Sequence, residues 1–67
     1  MTKETKEIQI GDLIEVLVNR GNGQVFTFRG ELLKDDQFYI EINDVKEGII
    51  RFYQKDIIQV KRLGDAL

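Results

Sequence analysis

The sequence predicts an all-β fold, a small five-stranded antiparallel barrel with at most one helical turn at its N-terminus. Three observations lead there. Apolar and polar residues alternate through Phe26-Thr-Phe-Arg-Gly-Glu-Leu-Leu and again through Gln37-Phe-Tyr-Ile-Glu-Ile. A single glycine, Gly30, interrupts the first of these runs, as a strand bent between two parts of a curled sheet requires. Outside residues 1–7 no sustained 3.6-residue periodicity occurs, so no helix is available as a parallel crossover, and short strands at hairpin spacing remain.

Each element follows from local chemistry. Residues 1–7 are polar, with alternating lysine and glutamate, and are too short to stand as a helix alone. Gly11-Asp12 is a turn into the first strand, Leu13 to Val18. Asn19-Arg-Gly-Asn-Gly23 tolerates positive φ and reads as a hairpin loop, either a plain connector or a finger carrying Arg20. It lacks the spacing of a nucleotide-phosphate loop and precedes no helix. Two long strands then meet at Lys34-Asp35-Asp36. Asn43 to Gly48 is a polar turn, Ile49 to Tyr53 the fourth strand, Gln54-Lys55-Asp56 a 3₁₀ connection and Ile57 to Leu63 the last strand, with a tail from Gly64. Closing such a sheet also hides edges that would invite aggregation.

The alternation places Ile14, Val16, Val18, Phe26, Phe28, Leu32, Phe38, Ile40, Ile42, Ile50, Phe52, Ile58, Val60 and Leu63 inside. Leu17, Val25, Leu33, Tyr39, Ile49, Tyr53 and Ile57 are left in the other register. That is much apolar surface for so small a protein, and a second buried surface between subunits is expected.

At 67 residues the chain is read as one domain, with its barrel at about 11–63. A domain of this size buries only about 60% of its unfolded surface, which again favours a homo-oligomer or a protein partner. Cysteine and histidine are absent, which removes thiolate chemistry, disulfides and the commonest metal ligand and general base. No nucleophile–base–orienter set can be drawn, so a non-catalytic protein without metal or cofactor is expected. No apolar run approaches the roughly 20 residues of a membrane-spanning helix, and no signal-peptide core follows the start, so a cytoplasmic location is expected. The net charge is −2 and the pI about 5.0, so nucleic-acid binding would need a local patch. Residues 31–48 carry a net −4 and residues 49–67 a net +2.

With Gly30 in the bent strand and Asp36 six residues later at the next turn, the chain resembles the Sm-like superfamily, an SH3-like barrel. Asp36-Gln37-Phe38 is similar to the Asp-Gln-Phe signature of the Hfq-type bacterial RNA chaperones, and Tyr53-Gln54-Lys55 falls where that family has Tyr-Lys-His. The resemblance covers roughly residues 11–63. It implies a ring-forming protein that binds single-stranded RNA, with Gln37 and Phe38 lining a base pocket, Gln54 and Lys55 beside them, and Asp36 bracing the turn. An aromatic ring offers a stacking surface and an amide reads a base edge. Arg51, Lys61 and Arg62 are weaker electrostatic candidates. Gly23-Gln24 through Leu32 and Ile58-Gln-Val-Lys-Arg-Leu63 resemble the C-terminal Sm-like domain of RimP-type ribosome-maturation factors. A different expectation stands beside both: a protein-interaction or structural barrel without nucleic acid, favoured by the acidic balance and by Asp35 and Asp36, which would repel phosphate.

Overall fold

The computed structural model describes residues 8–64. The expected N-terminal helical turn at residues 1–7 and most of the C-terminal tail lie outside the described residues. Five strands run in chain order, β1 (Leu13–Asn19), β2 (Val25–Asp35), β3 (Tyr39–Asp44), β4 (Gly48–Tyr53) and β5 (Ile57–Gly64), with a 3₁₀ turn at Gln54–Asp56 before the last. They form one antiparallel sheet in the order β4-β3-β2-β1-β5. The expected all-β architecture of five antiparallel strands is present, and the sheet is barrel-like.

The sheet curls because β2 serves two partners in succession. Its first part pairs with β1, from Asn19 opposite Val25 to Leu13 opposite Glu31. Its second part pairs with β3, from Gly30 opposite Asp44 to Asp35 opposite Ile40. Gly30 lies where the two ladders meet, and it is buried. A Cβ there would overlap the Asn43 carbonyl oxygen and stand 2.7 Å from its carbon. Only a residue without a side chain permits this approach of two backbones.

Curling brings one face of all five strands together. Ile14, Val16, Val18, Leu32, Ile40, Ile42 and Phe52 are buried, with Ile8, Phe28, Ile50, Ile57 and Val60 packed against them. The Phe28 and Phe52 rings, from β2 and β4, lie 4.8 Å apart across the fold. Each fully buried aliphatic side chain contributes about 1.5–3 kcal/mol by leaving water.

Several side chains depart from simple alternation, and each departure has a local cause. Two bulges in β5 insert unpaired residues: Val18 and Leu17 face Ile57 and Gln59, while Ile14 and Leu13 face Arg62 and Gly64. Ile58 and Leu63, expected inside, are the extra residues and stand exposed. Ile57 takes the inward place, and Gly64 ends the strand rather than starting a tail. Phe26, also expected inside, is 44% exposed. It sits opposite Val18 at the mouth of the β1–β2 hairpin, where Arg20 is its cover, 5.9 Å from the ring centre. A third bulge, at Leu33, carries β2 on to Asp35. The turn expected at Lys34-Asp35-Asp36 therefore falls at residues 36–38, and Phe38 leaves the pleat.

Among the described residues the least exposed ion pair joins Asp12 to Arg62, at 3.0 Å. Asp12 also accepts the Gln9 backbone N–H. This pair ties the start of β1 to the end of β5.

Candidate nucleic-acid interface

The β2–β3 turn is built by Asp36. Its carboxylate oxygen accepts the backbone N–H groups of Phe38 (2.8 Å) and Tyr39 (3.1 Å). These two bonds, the Phe38 bond the larger, hold the Asp36 carboxyl below the usual carboxylate range. Short side-chain acceptors of this kind turn the chain on themselves. The consequence is that Phe38 projects outward, 66% exposed, and the expectation that it belongs to the core is corrected.

Gln54 clamps that turn to the 3₁₀ segment. Its backbone N–H donates to the Phe38 carbonyl (2.9 Å) and its side-chain amide donates to the Asp36 carbonyl (3.1 Å). One amide hydrogen and the amide oxygen of Gln54 have further hydrogen-bonding capacity. The result is an open, mostly apolar cleft of about 390 Å³ lined by Gln37, Phe38, Tyr53, Gln54 and Lys55. Four candidate residues from two distant stretches of sequence thus share one cleft. Tyr53 is the wall that the candidate set omits. Its signal in the sequence was its place in the register opposite the core, where an aromatic residue needs another use.

The remaining candidates stand elsewhere. Arg51 is on the outer face of β4, opposite Glu41 of β3, and donates to its carboxylate from Nε (3.1 Å) and Nη2 (2.9 Å). Its guanidinium lies 4.1 Å over the Tyr39 ring. Hydrogen bonds to Glu41 first and Tyr53 second raise its already high pKa. Lys61 lies opposite Glu15 on the far part of the sheet, and Glu15 already bridges to Arg29 at 3.0 Å. Arg62 points toward the core side, opposite Ile14, and is engaged by Asp12. Lys61 and Arg62 therefore lie apart from the cleft.

A second cleft, of about 320 Å³, lies between β2 and the β3–β4 turn and is lined by Thr27 to Arg29 and Asp44 to Glu47. It is more polar than the first. Among the described residues no group of three or more His, Cys, Asp or Glu side chains is arranged to hold a metal ion. No helix there is long and apolar enough to cross a membrane.

No family model, curated protein or solved structure matches this chain.

Proposed function

We propose that the protein is a non-catalytic, oligomeric RNA-binding protein with a chaperone-like role, and that it takes a base of single-stranded RNA in the cleft at the β2–β3 turn. The observation that carries this reading is Phe38. A phenylalanine held two-thirds exposed by two backbone hydrogen bonds at Asp36 is costly to leave unused. Beside it stand two glutamine amides for a base edge and Lys55 for the flanking phosphate. The Asp-Gln-Phe and Tyr-Gln-Lys likeness to Hfq-type proteins supports the same use of these residues.

Oligomerisation is supported by the edges. β4 and β5 end the sheet, and Ile49 on β4 and Ile58 and Leu63 on β5 are exposed apolar side chains. Uncovered apolar edge strands invite pairing with another copy. A ring assembled in this way, in the cytoplasm, would repeat the cleft once per subunit and gain affinity by multivalency.

Fluorescence anisotropy with labelled oligouridylate and oligoadenylate, at low and physiological salt, tests the reading. Binding at micromolar protein in low salt is expected, weakened by Phe38→Ala. Absence of binding in low salt overturns it, because phosphate contacts are strongest there. The acidic Asp35 and Asp36 at the turn favour the second reading, a protein-interaction barrel. That reading gains if neither RNA binds while light scattering gives a monomer.

A further inference from the structure

The outer face of β2, β3 and β4 carries an ordered group of side chains, of which the cleft uses only Tyr53. Tyr39 and Tyr53 face each other across β3 and β4, as do Glu41 and Arg51. The Leu33 bulge turns Lys34 to the same face, opposite Glu41. Without that extra residue Lys34 would point with Leu32 into the core.

The arrangement is stacked and cross-braced. The Arg51 guanidinium covers the Tyr39 ring at 4.1 Å. Glu41 grips it through two N–H groups, and Tyr53 adds to the interactions that favour its charged form. Lys34 Nζ donates to the Tyr39 hydroxyl at 2.8 Å, which fixes the ring that lies beneath. A guanidinium held on its edges by acceptors and on one face by an aromatic ring has its other face left over. Arg51 remains exposed, with 47% of its side-chain surface open to solvent. A rigid, planar, weakly hydrated surface of this kind is suited to stacking a nucleobase, whereas its charge is already answered by Glu41. An arginine serving as a plain surface charge needs neither the stack nor the two bonds to one carboxylate.

Tyr53 joins this group to the cleft. It lines the cleft beside Phe38, and its ring centre lies 6.1 Å from that of Tyr39. The cleft and the Arg51 group meet at Tyr53 without sharing a stacking surface, so two neighbouring bases would each have their own. Lys34, beside Tyr39, has ammonium hydrogens beyond the one given to the tyrosine.

We propose that Arg51, held over the Tyr39 ring by Glu41, is a second base-stacking platform, and that one subunit binds two successive nucleotides, one in the Phe38 cleft and one on Arg51. The proposal rests on the RNA-binding reading of the cleft. It adds a site of defined chemistry, a planar base face, and a footprint of a dinucleotide for each subunit.

The experiment is an NMR titration of the isotope-labelled protein with uridine monophosphate, diuridine phosphate bearing a 5′-phosphate, and the corresponding trinucleotide. In the unsubstituted protein the dinucleotide is expected to bind about five-fold or more tightly than the mononucleotide, the gain of one stacked base, with the trinucleotide adding little. Arg51→Lys keeps the charge and removes the plane, and its amide spectrum reports whether the fold is retained. In that variant the ratio of dinucleotide to mononucleotide affinity is expected to fall toward one. Phe38→Ala is expected to weaken all three probes. A ratio unchanged in Arg51→Lys, or a dinucleotide no tighter than a mononucleotide in the unsubstituted protein, overturns the platform while leaving the cleft reading intact. Failure of every probe, and of longer RNA, overturns the cleft reading and the platform with it.

Discussion

Gly30→Ala is the most direct test of how this sheet curls. The added methyl would stand 2.7 Å from the Asn43 carbonyl carbon and 3.0 Å from Asp44 Cα, closer than side-chain carbons approach backbone. The obstructing atoms belong to the neighbouring strand, whose position is set by the β2–β3 ladder, so they cannot rotate away as a side-chain tip would. Overpacking of this kind costs about 1–3 kcal/mol and sometimes more. Replacing glycine also stiffens the unfolded chain, returning about 0.4–1 kcal/mol. A net loss of about 2 kcal/mol is expected, in the upper part of that range because the obstructing atoms are backbone. A protein of this length has roughly 3–10 kcal/mol in total, so the loss is a large share. At about 4–8 °C per kcal/mol the thermal midpoint should fall by about 8–16 °C. The assay is thermal and urea unfolding followed by circular dichroism at one fixed protein concentration, since assembly would make the midpoint concentration-dependent. Gly64→Ala is the control, because a methyl there meets nothing within 4 Å. A Gly30→Ala midpoint within about 4 °C of the unsubstituted protein would refute the claim that close backbone approach at Gly30 shapes the sheet.

The other predictions follow from the same contacts. Phe38→Ala should weaken oligouridylate binding by about 1–3 kcal/mol, roughly 5- to 150-fold. The unfolding midpoint should move little, because the ring is exposed. Lys55→Ala should flatten the dependence of binding on salt by about 0.7 log units per log unit, the share of one single-strand phosphate, and an unchanged slope would remove Lys55 from the interface. The Asp36 carboxylate is favoured in the folded state by its two backbone hydrogen bonds. Its contribution is therefore complete above the ordinary aspartate pKa near 4 and is lost as pH falls through the lower folded value. Asp36→Asn, which keeps an acceptor oxygen, should lessen the acid-side fall in unfolding midpoint, and superimposable pH curves would contradict this. Arg62→Met should cost about 2–4 kcal/mol in urea unfolding, because it leaves a buried Asp12 carboxylate. Arg29→Met should cost under about 1 kcal/mol, since that arginine is mostly exposed. Equal losses would mean that burial does not distinguish the two pairs.

The sequence by itself determined the strand order along the chain and where each strand begins and ends, to within about two residues. One register of β1, β3 and β4 is wholly apolar from Ile14 to Val18, Ile40 to Ile42 and Ile50 to Phe52, and the turns carry the glycine, asparagine and aspartate that such turns demand. It also marked Gln37, Phe38, Gln54 and Lys55 as candidates, although nothing local shows that residues 37–38 and 53–55 wall one cleft. What only the tertiary structure decided is parity. A bulge at Leu33, Ile58 or Leu63 adds one residue and sends every later side chain to the opposite face until the next irregularity. That is why Ile57 and not Ile58 packs on the core, why Leu63 stands outside next to an inward Arg62, and why Lys34 joins Tyr39 and Arg51 outside. A bulge has no strong mark in its own strand, because its position depends on how the partner strand must bend. Phe38 illustrates the same limit. Its place in the alternation reads inward, but the aspartate two residues earlier closes a turn around it, and that turn sets the ring out in solvent above Tyr53 and Gln54.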